Sequence, residues 1–136
     1  MIGVLVITHG NLGSELIKAA EMIKGKLTGI YSVSIDSEKG VEDIKKDITG
    51  AMKKIDSGDG ILILTDLFGG TPSNISLSFM REGKVEVVTG VNLPMLLKLD
   101  IRKEKTLEET AYFIKDYGRK NISLASEILK RDVSGK

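Results

Sequence analysis

The sequence has no cysteine and no tryptophan among its 136 residues, and aromatic residues make up only 4% of it. The absence of cysteine excludes a disulfide framework, a thiolate metal site and a cysteine nucleophile, and it fits a reducing compartment. The scarcity of aromatic rings argues against a surface on which nucleic-acid bases stack. The charge is balanced as well, with 20 Lys and Arg against 19 Asp and Glu, so it indicates neither a nucleic-acid nor an anionic-membrane partner.

Long hydrophobic runs are also missing. The apolar run at the N-terminus spans residues 2–7 and then meets Thr8-His9-Gly10, without the basic region and long apolar stretch of a signal peptide. No segment approaches the roughly 20 apolar residues that a transmembrane helix needs. We therefore expect a cytoplasmic protein with one domain over residues 1–130 and a frayed tail at residues 131–136.

Apolar residues follow strand and helix spacings in alternation along the chain. Continuous or alternating apolar runs predict four strands, at residues 2–7, 30–35, 61–65 and 85–89. Helical spacing predicts helices at residues 14–24, 41–55 and 107–117, and two shorter ones that begin at Pro72 and Pro94. Strands that alternate with helices indicate βαβ units, so we predict an open, mostly parallel, doubly wound α/β sheet with helices on both faces.

Several helix starts carry capping signals. Asn11 or Ser14 can cap the first helix, and Thr71 precedes Pro72, whose missing N–H does no harm at a first helical position. The run Thr106-Leu107-Glu108-Glu109 is a capping box. After these helices, the segment at residues 122–129 fits two patterns equally, because its apolar residues match both strand alternation and helical spacing.

His9 is the only histidine, and it follows the first predicted strand as Asp66 follows the third. Ligand sites of parallel sheets lie beyond the carboxyl ends of the strands, where the strand order reverses. If the first and third strands are neighbours, His9 and Asp66 face one crevice. A carboxylate that accepts the N–H of one imidazole nitrogen fixes the tautomer and leaves the other nitrogen free to attack phosphorus. We therefore predict His9 and Asp66 as the catalytic pair of a phosphoryl carrier.

The start of the third helix predicts a place for the phosphoryl oxygens. Backbone N–H groups of Gly69, Gly70, Thr71 and Ser73 would supply donors there, and the glycines let the backbone approach closely. Taken singly, each feature has an ordinary explanation: a lone histidine after a strand is more often structural, and paired glycines often form only a turn. All of these features lie at the same edge of the predicted sheet, however, and this shared position favours a phosphoryl-transfer site.

Other chemistries lack their sequence elements. The chain has no GxxxxGK[ST] loop for nucleotide phosphates and no GxGxxG after the first strand. A lone histidine without a carboxylate cluster predicts no metal, and we expect no cofactor. An aspartyl-phosphate receiver needs acidic residues where Thr8-His9-Gly10 stands. A histidine phosphatase needs an arginine before its histidine and a second histidine, and this sequence has neither.

Three segments carry a family resemblance: Gly3–Gly10 with Thr8-His9-Gly10, Asp66–Asn74 with Phe-Gly-Gly-Thr-Pro at 68–72, and Gly90–Met95. Together they resemble the EIIA domain of the mannose family of the bacterial phosphoenolpyruvate-dependent sugar phosphotransferase system (PTS). The resemblance implies that His9 accepts phosphate from the phosphocarrier HPr and passes it to an EIIB partner, which phosphorylates sugar at a membrane permease. It also implies that Asp66 is the active-site aspartate and that Thr71 is the family's hydroxyl residue.

The resemblance further implies an open sheet with central first and third strands, and a homodimer that exchanges a C-terminal antiparallel strand. It moves the expectation for the tail towards a strand near residues 121–125. Without an Ala/Pro-rich linker and a following EIIB, a free-standing EIIA is expected. The alternatives are the phosphotransfer subunit of a dihydroxyacetone kinase, whose second motif lacks Phe-Gly-Gly-Thr-Pro, and a non-catalytic regulatory module. The sequence does not indicate which sugar is transported.

Overall fold

Strands and helices alternate along the part of the chain that the computed structural model describes, which is residues 1–36, 38–67 and 69–133, with the backbone alone at 131–133. The strands are β1 (Gly3–His9), β2 (Ile30–Ile35), β3 (Ile61–Thr65) and β4 (Val85–Thr89). The helices are α1 (Leu12–Lys24), α2 (Val41–Ile55), α3 (Thr71–Leu77), α4 (Leu93–Leu97), α5 (Leu107–Lys120) and α6 (Ala125–Val133), and a 3-10 helix spans Leu99–Lys103. Within these ranges no helix is long and apolar enough to cross a membrane.

The four strands form one parallel sheet in the order β2-β1-β3-β4. The two central strands are the most apolar, and all five residues of β3 are buried. Apolar runs of this kind belong to strands that are covered on both faces. The predicted open parallel α/β sheet is confirmed, and so is the neighbouring position of the first and third strands.

Helices cover both faces of the sheet, because successive strand side chains point to opposite sides. On one face Val4, Val6, Leu62 and Leu64 pack with buried residues of α1, α4 and α5. On the other face Leu5, Ile7, Ile61 and Ile63 pack with buried residues of α2 and α3. The sheet therefore separates two apolar cores, one on each of its faces.

The first strand runs further than the sequence pattern predicts. The pattern ends at residue 7, whereas β1 continues through His9 and α1 begins at Leu12. The parallel ladder explains the extension, because His9 lies opposite Ile35 and the N–H of Gly10 donates to the Ile35 carbonyl at 2.9 Å. His9 is thus the last residue of a strand, not part of a loop.

The C-terminal antiparallel strand expected near residues 121–125 is not present within the described residues of this single chain. Residues 122–124 belong to no strand, Asn121 ends α5, and α6 occupies Ala125–Val133. A helix satisfies its backbone hydrogen bonds internally, whereas a lone strand needs a neighbour for them. The expected frayed tail at 131–136 begins inside α6, and residues 134–136 lie outside the described residues.

Candidate functional site

His9 and Asp66 meet at the carboxyl end of the two central strands. The Oδ2 atom of Asp66 accepts the backbone N–H of His9 at 3.0 Å and lies 2.7 Å from its ring Nδ1. The second oxygen, Oδ1, accepts the N–H of Leu67 at 3.0 Å. The side chain of Asp66 is 9% exposed, while that of His9 is 52% exposed. A nearly buried carboxylate therefore holds one edge of the imidazole, and the other edge faces outward.

The protonation of this pair follows from its contacts. Burial raises the pKa of the Asp66 carboxyl, but the hydrogen bonds from the ring and backbone N–H of His9 outweigh it, so that pKa lies below its ordinary value. Asp66 is then a carboxylate at neutral pH and can only accept hydrogen bonds. This assigns the ring proton to Nδ1 and leaves the lone pair of Nε2 free.

Two hydroxyl side chains, those of Thr8 before His9 and of Ser34 on the neighbouring strand, fix the turn that follows His9. The hydroxyl of Thr8 is buried and accepts the N–H of Gly13 at 2.8 Å, which satisfies one of the free donors at the start of α1. Gly10 takes a left-handed conformation, with φ of +53°, and its carbonyl accepts the hydroxyl of Ser34 from β2. The main chain before and after His9 is therefore anchored to α1 and to the neighbouring strand.

The strand end that carries Asp66 is anchored from the other side. The carbonyl of Thr65 accepts the N–H of Val91 at 2.8 Å, which joins the loop after β4 to the end of β3. In the same loop the side chain of Asn92 caps α4 through the N–H of Met95 and donates to the Gly118 carbonyl of α5. The third sequence motif thus supports the site from outside it.

The glycine pair after Asp66 brings the start of α3 against the histidine. Gly69 has a φ of +92°, a conformation that favours glycine, and its N–H donates to the Ser73 hydroxyl at 3.2 Å. Gly70 is the N-cap residue of α3 and packs against the His9 ring. Thr71 is exposed at the first position of the helix, whereas Ser73 is fully buried. Phe68, within the same motif, lies outside the described residues.

Comparison with known proteins places this arrangement in a family. Residues 3–115, a span that includes both His9 and Asp66, match the model of EIIA-man, described as the PTS system fructose IIA component. The chain belongs to the EIIA-man family. It is 30% identical over 133 residues to the "PTS system fructose-specific EIIA component" of Bacillus subtilis, a match that covers 96% of this chain and 91% of the relative.

Solved structures of relatives share the fold. The mannose/sorbose-specific IIA subunit of Enterococcus faecalis superposes with a TM-score of 0.81 at 26% identity, over 90% of this chain and 93% of the other. The PTS IIA protein associated with the fucose utilization operon of Streptococcus pneumoniae gives a TM-score of 0.78 at 27% identity, over 93% and 95%. The chain is an EIIA component of the mannose/fructose family, which implies phosphoryl transfer in sugar uptake together with other PTS proteins.

The structure of this EIIA brings together some of the predicted site residues and separates others. His9 contacts Asp66, Gly70 lies beside the His9 ring, and Thr71 follows directly. The Ser73 side chain is turned away, because it is buried and bonds the N–H of Gly69. The predicted Thr71 cap is wrong, since Gly70 occupies the N-cap position and makes no side-chain cap bond.

Ser34 was missed by reasoning from the sequence. The only signal was that a hydroxyl residue stands near the end of the second predicted strand, as Thr8 does on the first. The register sets Thr8 opposite Ser34, and only this pairing shows that the serine reaches the Gly10 carbonyl.

Two further facts limit what the EIIA site can do. Among the described residues no group of three or more His, Cys, Asp or Glu side chains is placed to hold a metal ion. The exposed ring of His9 is open to a macromolecular surface, unlike the enclosed pockets that bury most of a small ligand. The geometry offers one nucleophilic nitrogen, oriented by a carboxylate, on an open surface.

Proposed function

We propose that His9 carries a phosphoryl group as a transient phosphohistidine, taking it from phosphorylated HPr and giving it to an EIIB partner. The partner would then phosphorylate sugar at a membrane permease, and the carrier would act in the cytoplasm without a cofactor. The observation that carries this proposal is the 2.7 Å contact between Nδ1 of His9 and Oδ2 of Asp66. It leaves Nε2 as the free nucleophile on an exposed edge.

In the transfer step the lone pair of Nε2 attacks phosphorus as the bond from phosphorus to the donor nitrogen breaks. The proton on Nδ1 stays in place, so the phosphorylated ring is cationic. The Asp66 carboxylate stabilises that charge through the same hydrogen bond, as the aspartate of a hydrolase triad stabilises its imidazolium. Transfer to the next carrier reverses these events at Nε2. Asp66 therefore orients the nucleophile and compensates the charge that forms on it.

We propose Gly69, Gly70, Thr71 and Ser73 as the segment that receives the phosphoryl oxygens. The first-turn N–H groups of a helix have no intrahelical acceptor, and α3 begins at Thr71, directly after Gly70, which lies beside the ring. Gly69 contributes the turn, since its own N–H is bonded to the Ser73 hydroxyl. Ser73 contributes through its backbone and through this bond, because its side chain is buried. The exposed Thr71 hydroxyl adds a further donor.

We also propose that the chain forms a homodimer by strand exchange. The edge strand β4 borders a groove of about 360 Å³ whose other wall is α5. Four large apolar side chains of the tail are exposed, namely Ile122, Leu124, Ile128 and Leu129. A tail from a second copy that pairs with β4 would cover both features. Sedimentation equilibrium of the full chain and of a chain truncated after Lys120 tests this assembly.

The carrier function is tested by incubation with labelled phosphoenolpyruvate, Enzyme I and HPr. The expected result is one acid-labile, base-stable phosphate per chain, which leaves the protein when an EIIB partner is added. The His9→Ala variant should take no label, and because the ring is half exposed it should fold normally. No label on the wild type, or label that persists in His9→Ala, rejects the proposal. A partner complex that forms equally well with His9→Ala and without phosphate would favour a regulatory module.

A further inference from the structure

Gly70 lies against the edge of the His9 ring that bears the free nitrogen. A Cβ atom built on Gly70 would lie 3.1 Å from Cε1 of His9 and 3.6 Å from Nε2. Carbon atoms in good contact stand about 3.5 to 4.0 Å apart, so the first distance is too short for a relaxed side chain. The backbone at the start of α3 therefore touches the ring in space that a side chain would have to share.

The ring has little freedom to move away from such a side chain. Its Nδ1 is bonded to Oδ2 of Asp66 at 2.7 Å, and the same oxygen holds the backbone N–H of His9. Asp66 is itself nearly buried and bonded to the N–H of Leu67. A Cβ at position 70 would lengthen the bond between His9 and Asp66 or crowd the atoms that reach Nε2.

Local backbone structure does not explain why position 70 is glycine. Gly70 has a φ of −85° and a ψ of 173°, which any residue adopts, in contrast to the φ of +92° at Gly69. As the N-cap residue of α3 it provides no side-chain cap bond, and serine, aspartate or asparagine would cap the helix better. The tightest contact that a side chain at position 70 would make is with the His9 ring, ahead of Cδ1 of Leu67 at 3.4 Å.

We propose that Gly70 is a positioning residue for phosphoryl transfer. Its missing side chain sets the ring at hydrogen-bond distance from Asp66 and leaves room beside Nε2 for the transferred phosphoryl group. The inference rests on the proposed phosphohistidine at His9. The role that it assigns to Gly70 is steric and is separate from donation of the Gly70 N–H. We therefore expect any Cβ at this position to slow both the gain and the loss of phosphate.

Rapid-quench measurements on wild type, Gly70→Ala, Gly70→Ser and Gly50→Ala test this role. Two donors are used: HPr phosphorylated by phosphoenolpyruvate and Enzyme I, and phosphoramidate, a small donor that needs no docking surface. Both variants at position 70 should take phosphate at least about tenfold more slowly from either donor, since small displacements of a reacting group cost large factors in rate. Gly50→Ala is the matched control, because Gly50 lies within α2 and a Cβ there meets no atom within 4 Å.

The serine variant separates crowding from helix capping. If glycine serves only the cap, Gly70→Ser should transfer at the wild-type rate, and that result overturns the proposal. Wild-type rates in both variants overturn it too, as does slowing with phosphorylated HPr but not with phosphoramidate, which would indicate lost docking. In NMR spectra the Cε1–H signal of His9 should shift in both variants at position 70 and stay unchanged in Gly50→Ala. A wild-type protein that takes no phosphate from either donor contradicts the proposed function itself.

Discussion

Two polar clusters occupy opposite ends of the parallel sheet, and their main side chains differ in exposure and in hydrogen bonding. At the carboxyl end the His9 ring is half exposed, and one nitrogen is paired with Asp66 while the other is free. At the amino end Arg102 is 5% exposed and its guanidinium is bonded to backbone carbonyls. The hydrogen bonds of His9 leave one reactive nitrogen available, whereas those of Arg102 only join parts of the chain.

The Arg102 cluster ties the starts of two strands to the 3-10 helix. One terminal nitrogen donates to the carbonyls of Ile2 at 3.0 Å and Gly29 at 3.3 Å, and the other donates to the carbonyl of Thr28. Burial lowers the pKa of the guanidinium, and the charge of Asp100 opposes this shift. The carbonyl of Ile2 belongs to a buried residue and would be costly to leave without a donor, so we assign Arg102 to stability and not to chemistry.

The largest effect should come from removing this cluster. Arg102→Met keeps much of the side-chain volume but leaves the carbonyls of Ile2 and Thr28 without their guanidinium donor. Ile2 is buried and Thr28 is exposed, so the estimate rests on the lost hydrogen bonds to the charged guanidinium, at about 1.5–3 kcal/mol each, and the free energy of unfolding should fall by roughly 3 kcal/mol. Urea unfolding measures this loss, and phosphate uptake at 25 °C should remain at the wild-type rate.

The neighbouring variant Lys103→Met is the matched control for Arg102→Met, because Lys103 is exposed and its amino group lies 4.0 Å from Asp100. An exposed pair of this kind contributes little to stability. Equal unfolding free energies for the two variants would remove Arg102 from its structural role. Slow phosphate uptake by a folded Arg102→Met protein would show that the two ends of the sheet are not independent.

The second effect concerns the pair of His9 and Asp66. Here we expect the rate of phosphate uptake to change more than the stability of the fold. Asp66→Asn keeps the shape of the side chain but removes the charge that fixes the ring proton and stabilises the phosphorylated ring. Phosphate uptake should slow by about 100-fold, which corresponds to about 2.7 kcal/mol in the barrier. Rapid-quench transfer from phosphorylated HPr measures it. Asp100→Asn, an exposed aspartate at the far end of the sheet, should transfer normally. Unchanged kinetics in Asp66→Asn would remove this aspartate from the mechanism.

The sequence predicts one of these clusters and not the other, for a physical reason. Strand-length apolar runs that alternate with helices predict a parallel sheet, and the residues just after two such runs meet at its carboxyl end if the two strands are neighbours, so the pairing of His9 and Asp66 is predictable on that condition. Arg102 joins Ile2 across 100 residues of sequence, and no periodicity records that contact. The Ser34 contact with Gly10 depends on strand register in the same way.

Helix capping and the tail escape prediction for a different reason. Thr71 carries the better capping side chain, yet Gly70 takes the N-cap position, where the backbone packs against His9. The tail has apolar residues that suit a strand as well as a helix, and within one chain only the helix completes its own hydrogen bonds. Local residue preferences decide neither the N-cap position of α3 nor the structure of the C-terminal segment. Both outcomes depend on which other part of the structure lies next to the segment.

The smallest effect is a pH dependence that belongs to one cluster alone. Burial raises the pKa of Asp66, but the hydrogen bonds from the ring and backbone of His9 outweigh this and leave the pKa below its ordinary value, so the folded protein loses the carboxylate charge at a lower pH than the unfolded chain does. A carboxyl with a depressed pKa stabilises the fold above its unfolded pKa of about 3.9, and this contribution is lost as the pH falls through the folded pKa.

Urea unfolding of wild type, Asp66→Asn and Arg102→Met between pH 7 and pH 3 resolves this dependence. Other carboxyls titrate in the same range, so the difference from wild type is the informative quantity. That difference should narrow for Asp66→Asn below about pH 4, since a protonated aspartate resembles asparagine. It should change little for Arg102→Met, because an arginine keeps its proton throughout this range and its charge is the smallest of the effects on the pKa of the neighbouring Asp100. A difference for Asp66→Asn that widens below about pH 4 would mean that the carboxylate opposes folding, and the bonds from His9 would then not compensate its burial.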